Sequence, residues 1–355
     1  MNLLLSGLDT VECAYYLRPT ASACLDFDAL RLKRETHFQG KSRDPLLIEL
    51  GGIAFELSRG GTRSGYPFLI SNQQWAIQFG EFNDPNFFVT FRSVALWHQG
   101  AKALHDSFLA WAASLGYAPA RPEGLSRCDF AFDFHLPFVD FNEDNFITLA
   151  EKDSQHRKNR KVQTFTFGRD EIVLRVYNKS DEVNEASGKF WLHELWMGQT
   201  ENVWRVEWQV RKETLKRFGL RTFTDLFDGY GDLLRYLVNE HTSLRAPNGD
   251  SNPSRWPVHP LWQALAAHID TLPVQGVYRV LDEQALLNET LIRMAISIEG
   301  YLKKVAAIEC LKEARPMLSQ GQTIDRLLPL LEKVHNPLTW RGDVQRRIDK
   351  LRVGA

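Results

Sequence analysis

The chain has 355 residues, enough for one large domain or two smaller ones. Hydrophobic residues make up 44% and aromatic residues 12%, which suffices for a substantial core. The formal net charge of −1 excludes the globally basic signature of many nucleic-acid binders, so contact with a polyanion has to come from local patches.

The N-terminal run Met1 to Asp9 is briefly apolar but lacks a basic leader, and no signal peptide is expected from it. Residues 45–50, 53–57, 75–79 and 87–91 read as strands separated by Gly, Asn and Pro. An apolar stripe over 95–115 predicts a helix stopped by Gly116. A strand follows at 127–135, then a basic loop at 152–161. Two more strands near 162–168 and 171–179 are joined by a turn at Gly168-Arg169-Asp170. A loop is expected over 183–202, a strand at 204–211, a helix from Lys212 and another from Thr224 to Leu244.

Pro- and Asn-rich residues 246–257 read as a linker, and beyond them the periodicity is helical over 280–314 and 322–352. These signals predict an α+β domain over 1–245, a linker and connecting segment over 246–270, and a helical C-terminal domain over 271–355. Cys13, Cys24, Cys128 and Cys310 lack metal-site spacing and read as reduced thiols, which suits a cytoplasmic protein. No run approaches the roughly 20 apolar residues that span a bilayer, so no membrane association is expected.

Three strands share an unusual alternation. Arg127, Asp129, Ala131, Asp133 and His135 alternate with Cys128, Phe130, Phe132 and Phe134. Arg175, Tyr177 and Lys179 alternate with Leu174, Val176 and Asn178; Arg205, Glu207, Gln209 and Arg211 alternate with Trp204, Val206, Trp208 and Val210. A period of two puts each set on one side of a sheet, giving one apolar face and one face of carboxylates, guanidiniums and a phenol. Asp129 and Glu207 are hard oxygen donors suited to Mg²⁺ or Mn²⁺. Arg127, Lys179 and Arg205 could organise a phosphodiester, and Tyr177 could act as a covalent nucleophile, since a phosphotyrosine ester conserves the energy needed to rejoin a strand. The competing reading is plain cross-strand ion pairing, with Tyr177 as a packing residue.

Lys152 to Lys179 holds eight Lys or Arg against three Asp or Glu, a local positive field beside that face. Arg157, Lys158, Arg160, Lys161, Arg175 and Arg211 are the expected DNA contacts. A hydrolase of small phosphorylated substrates is disfavoured, because neither a Gly-rich phosphate loop nor an HExxH motif is present.

Arg127-Cys-Asp-Phe-Ala-Phe-Asp133, Arg175-Val-Tyr-Asn-Lys179 and Arg205-Val-Glu207 resemble, in order and spacing, the R-x-D-x-x-x-D, R-x-Y-x-K and R-x-E strands of the replication initiation factor family of the Rep_trans type. Asn252-Pro-Ser-Arg-Trp-Pro257 and Pro260-Leu-Trp262 are similar to a segment further downstream in that family. The resemblance spans residues 45–265. It implies an HUH-like central antiparallel sheet with helices packed on one face. It also implies a metal-dependent nickase or relaxase that starts rolling-circle replication of plasmids or phages at a single-stranded or hairpin origin, through a tyrosine. In that family the nucleophile precedes the R-x-Y-x-K strand; here Thr164-Phe-Thr-Phe-Gly-Arg169 holds no tyrosine. Tyr177 is therefore the first candidate, with Tyr230 and Tyr236 as alternatives. A nuclease-impaired regulator that binds origin or hairpin DNA is the other reading. The C-terminal helices, with Arg341, Arg346, Arg347, Lys350 and Arg352, suit origin duplex, a host helicase or a structural cap.

Overall fold

The computed structural model describes residues 1–39, 44–158, 161–274, 283–313 and 317–353. The strands are β1 (Asn2–Tyr15), β2 (Leu17–Pro19), β3 (Leu46–Leu50), β4 (Ile53–Leu57), β5 (Phe68–Ser71), β6 (Trp75–Phe79), β7 (Phe87–Phe91), β8 (Tyr117–Pro119), β9 (Gly124–His135), β10 (Phe146–Thr148), β11 (Asp153–Lys158), β12 (Lys161–Phe167), β13 (Ile172–Asn178), β14 (Val203–Arg211) and β15 (Thr242–Leu244). The helices are α1 (Phe27–Gln39), α2 (Ser93–Gln99), α3 (Ala101–Ser114), α4 (Lys179–Glu182), α5 (Trp191–Leu195), α6 (Lys212–Arg217), α7 (Phe223–Tyr236), α8 (Pro260–Asp270), α9 (Glu283–Glu313), α10 (Gln320–Val334) and α11 (Pro337–Val353). The chain is α+β and divides into two units, Met1–Tyr278 and Arg279–Ala355. Among the described residues no helix is long and apolar enough to cross a membrane.

Eleven strands of the first unit form one antiparallel sheet in the order β11-β12-β13-β14-β9-β1-β7-β6-β5-β4-β3. Its apolar face is aromatic. Phe108 of α3 packs on Tyr15 and Phe91, Phe223 of α7 on Phe91, Tyr230 of α7 on Phe130, and Trp262 of α8 on Trp208. The helices α3, α7 and α8 therefore cover one face, and the polar side chains of β9, β13 and β14 must point to the other.

Several sequence expectations change. The N-terminal run is a central strand, between β9 and β7. Irregularities between Leu3 and Leu5 and between Leu8 and Thr10 break its alternation, which hides the strand from a period-two search. The helix expected over 95–115 is two helices parted at Gly100, whose φ of 82° and ψ of 153° no helix accommodates. The stop at Gly116 has a steric reason, since a Cβ there would lie 2.4 Å from the Ser22 backbone. The loop expected over 183–202 contains α5 and a wide helical turn, and buries Val183, Leu192 and Trp196 against Val203. The helix expected to run to Leu244 ends earlier, and 242–244 pairs with β10.

Residues 246–257, read as a linker, are irregular apart from one 3₁₀ turn, and the connecting segment that follows them to 270 holds α8. Pro260 occupies the first turn, where its missing N–H costs nothing, and the His259 side chain caps the Leu261 N–H. Leu261, Trp262, Leu265 and Ile269 are buried in the first unit's core, and Trp262 Nε1 donates to the Val238 carbonyl at 2.9 Å. Trp262→Ala is expected to cost about 3–5 kcal/mol of stability, the range for an aromatic truncation in a core. Urea unfolding of the intact chain measures it; an unchanged midpoint would show α8 to be a true connector.

Candidate active site

The registers stack the polar face into rungs. Tyr177 lies beside Arg205 and Arg205 beside Asp133; Arg175 lies beside Glu207 and Glu207 beside Ala131; Gln209 lies beside Asp129 and Asp129 beside Thr10; Arg211 lies beside Arg127 and Arg127 beside Glu12. Side chains directly opposite in an antiparallel pair share a face, so residues from four strands form one floor.

At one end of the floor lies a buried ion cluster. Arg205 is 0% exposed. Its Nε and Nη2 donate to the two oxygens of Asp133 at 2.6 and 2.8 Å, and Nη1 donates to Asp9 Oδ1 at 2.7 Å. Trp196 Nε1 donates to Asp133 at 2.8 Å; Trp97 Nε1 and Ser93 Oγ donate to Asp9 at 2.8 and 2.9 Å. Burial pushes the Asp9 carboxyl up, but the charges of Arg205 and Lys189 and the Trp97 hydrogen bond more than offset it, and the net direction is down. Burial acts to lower Arg205, and Asp133 and Asp9 outweigh it, so the guanidinium stays charged. Arg205, expected to organise a phosphate, has its donors committed to carboxylates and no exposed surface.

Beside this cluster Tyr177, Arg175 and Arg127 are half-buried, over the buried carboxylates of Glu207 and Asp129. The Tyr177 hydroxyl donates to Glu207 Oε2 at 3.0 Å. Arg175 donates to Glu207 Oε1 at 3.3 Å and to Gln209 Oε1 at 3.2 Å, and its side chain is 33% exposed. Arg127 grips both oxygens of Asp129, at 2.8 and 2.5 Å, and reaches Glu12 at 3.4 Å. Burial pushes the Tyr177 phenol well up, and the Glu207 charge adds to it. Burial pushes Asp129 up to about 6, with Arg127 opposing and the charges of Glu207 and Asp9 assisting. Lys179 is buried. Its Nζ pairs with Glu182 at 2.6 Å and lies 5.5 Å from the centre of the Tyr177 ring; burial and Arg205 push it down.

Asp129, Glu207 and Tyr177 thus share one surface. Tyr230 and Tyr236 do not: Tyr230 stacks on Phe130, whose side chain points to the helix side of the sheet, and Tyr236 packs on Phe218 and His241. Arg211 is exposed at the floor's rim. Arg157 and Lys158 lie in β11 and Lys161 in β12, the outer hairpin; Arg160 lies outside the described residues. Sequence reasoning missed Asp9, Glu12, Trp97, Lys189 and Trp196. The only signal for Glu12 was the alternation of Thr10, Glu12 and Ala14 against Val11, Cys13 and Tyr15; Asp9 has the parity of the apolar set and gave none.

Among the described residues no group of three His, Cys, Asp or Glu surrounds a common point. The donor set still fits a hard divalent ion of the Mg²⁺ class, which takes one or two carboxylates and completes its shell with water and phosphate oxygens.

No family model matches this chain, and no curated protein matches it. A solved structure of a rolling circle replication initiator protein from Geobacillus stearothermophilus is similar to it, with 17% identity and a TM-score of 0.43, over 77% of this chain and 98% of that chain.

Two outcomes follow from the ion clusters. Arg205→Met leaves Asp133 and Asp9 buried without their countercharge and is expected to destabilise the chain by about 3–5 kcal/mol, measured by urea unfolding. The second concerns pH. The folded chain holds the Asp129 proton more tightly than the unfolded chain does, because the carboxyl rises from 3.8 to about 6. The stability contributed by this group is present below about pH 4 and is lost as pH rises through about 6. Asp129→Asn should flatten the stability profile across that window; an unchanged slope would show that Asp129 is not the group titrating.

Proposed function

We propose that this chain nicks and rejoins one DNA strand at an origin, as a rolling-circle initiator or relaxase with Tyr177 as nucleophile. The observation that carries this reading is the hydrogen bond from the Tyr177 hydroxyl to Glu207, a nucleophile and base within proton-transfer distance. The resemblance of the Arg175-Val-Tyr-Asn-Lys179 strand to that of the replication initiation factor family supports the same assignment.

Glu207 accepts the phenolic proton as the phenolate attacks phosphorus. The bond to the 3′ oxygen breaks, that oxygen takes a proton from solvent, and the 5′ phosphate is left esterified to Tyr177. Attack by a 3′ hydroxyl on that ester reverses the step and rejoins the strand. Arg175 and Arg127, both part-exposed, are placed to exchange their carboxylate partners for phosphate oxygens. Arg205 acts through Asp133 and Asp9 as a positioning residue. Asp129 and Glu207 would hold Mg²⁺ or Mn²⁺, which would supply charge stabilisation at the leaving oxygen. Arg211 and the bases of the β11–β12 hairpin would track the DNA backbone.

A second reading is origin binding without cleavage. One observation favours it: both Asp129 oxygens are held by Arg127, so the carboxylate facing the phosphate is already neutralised.

The test is incubation with supercoiled DNA carrying candidate origins and Mn²⁺. The expected product is nicked circles with protein linked to the 5′ end, absent in Tyr177→Phe and retained in Tyr230→Phe and Tyr236→Phe. Glu207→Gln should lower the nicking rate by roughly 10²–10⁴-fold, the usual contribution of a general base, while DNA retention persists. Retention without any covalent product in the unaltered chain would select the second reading.

A further inference from the structure

The guanidiniums of the floor are not equally engaged. Arg205 is held by Asp133 and Asp9, Arg175 by Glu207, and Arg127 by Asp129 and Glu12. Arg211 differs. It is exposed, and among the described residues no carboxylate pairs with it. It also stands directly opposite Arg127 on β9. Like charges facing each other across an antiparallel pair are destabilising, and an anion between them removes the penalty.

The strand fixes where this uncommitted charge lies. Tyr177 is paired with Arg205, and Arg205, Glu207, Gln209 and Arg211 succeed one another on one face of β14. Each step of two residues advances about 6.8 Å, so Arg211 lies roughly 20 Å along the floor from the Tyr177 rung. Six covalent bonds separate successive phosphorus atoms of DNA, twice the three that carry a peptide about 3.3–3.6 Å per residue, so an extended single strand advances about 7 Å per nucleotide. The two repeats match, one same-face residue of β14 to one phosphate. Across the strands the way from Tyr177 is closed on the β9 side, where Asp133 is buried against Trp196. Along the strands the half-buried Arg175 and Arg127 lead to Arg211.

We propose that Arg211 anchors a phosphate three nucleotides from the scissile one, so that the floor measures an extended single strand along β14. The zero point of this ruler rests on Tyr177 as the nucleophile; the anchor does not. The ligand class is single-stranded DNA, because a duplex coils its phosphates about an axis and cannot keep four of them over one straight row. The anchor also explains how a strand is captured where the other guanidiniums are already neutralised: the free charge binds first, and the bound strand then lies over Arg175 and the Tyr177 hydroxyl.

Anisotropy of a fluorescent oligothymidylate of about eight nucleotides tests the anchor without any cleavage. Arg211→Gln should weaken binding by the intact chain about tenfold and lower the slope of log K against log salt by roughly 0.7, the loss of one phosphate contact on a single strand. Arg211→Lys should recover most of the affinity, and Lys102→Gln, on α3 behind the sheet, should change nothing. An unchanged urea midpoint for Arg211→Gln separates a lost contact from a lost fold. The spacing is read on DNA that the chain nicks. Once the nick is mapped, a neutral methylphosphonate replaces each phosphate on either flank in turn, and binding is measured to Tyr177→Phe. The loss, again about tenfold, is expected at the third phosphate of one flank and should vanish when Arg211→Gln is added. Oligothymidylate binding that ignores Arg211, or an Arg211-dependent loss at any other phosphate, overturns the proposal. Arg211-dependent binding with no nicked product from the unaltered chain rejects the Tyr177 reading and keeps the anchor.

Discussion

Arg205 ties the molecule's polar face together. A guanidinium with no access to water is tolerated only if its charge and its donors are met, and here two carboxylates meet them. Those carboxylates come from β9 and β1, and each is held in turn by an indole, Trp196 just after α5 on Asp133 and Trp97 of α2 on Asp9. One side chain of β14 thereby fixes three adjacent strands and two short helices. The aromatic face behind the sheet supplies the bulk of the apolar burial, but it would tolerate small displacements between strands. Charge-assisted bonds at 2.6–2.8 Å do not.

That rigidity sets the character of the neighbouring open surface. Tyr177 is paired directly with Arg205 on the neighbouring strand, so its ring position is inherited from the buried cluster. Its proton is held by Glu207, and burial keeps the phenol protonated at rest. A phosphodiester arriving on this floor meets cations already engaged with carboxylates, not a bare positive patch. In the proposed reaction, binding and activation are then one event: as Arg127 or Arg175 turns to phosphate, Asp129 or Glu207 is released to accept a cation or a proton.

Legibility differed by element for physical reasons. The face assignments of β9, β13 and β14 were plain in the sequence because those strands alternate without interruption, and Tyr177, Glu207 and Asp129 do share a surface. β1 was not legible, because its two irregularities shift the alternation, and with it went Asp9 and Glu12. The indoles that hold Asp9 and Asp133 sit in short helices separated from them by more than sixty positions, a distance no local pattern spans. Proline density over 246–257 pointed to a linker; three residues further on, Pro260 starts a buried helix, since proline is equally at home in a turn and at a helix's first position.

The amino-acid order by itself determined the α+β class, the two-faced strands and the residue types on the reactive side. Those follow from side-chain alternation and turn chemistry, which act within a few residues. Only the tertiary structure decided that β1 runs through the middle of the sheet, that Arg205 is locked away while Arg175 and Arg127 remain reachable, and that Tyr230 and Tyr236 lie behind the sheet. Such distinctions depend on which strands become neighbours and what covers them, and burial of a charge is a property of the assembled fold, not of the segment that carries it.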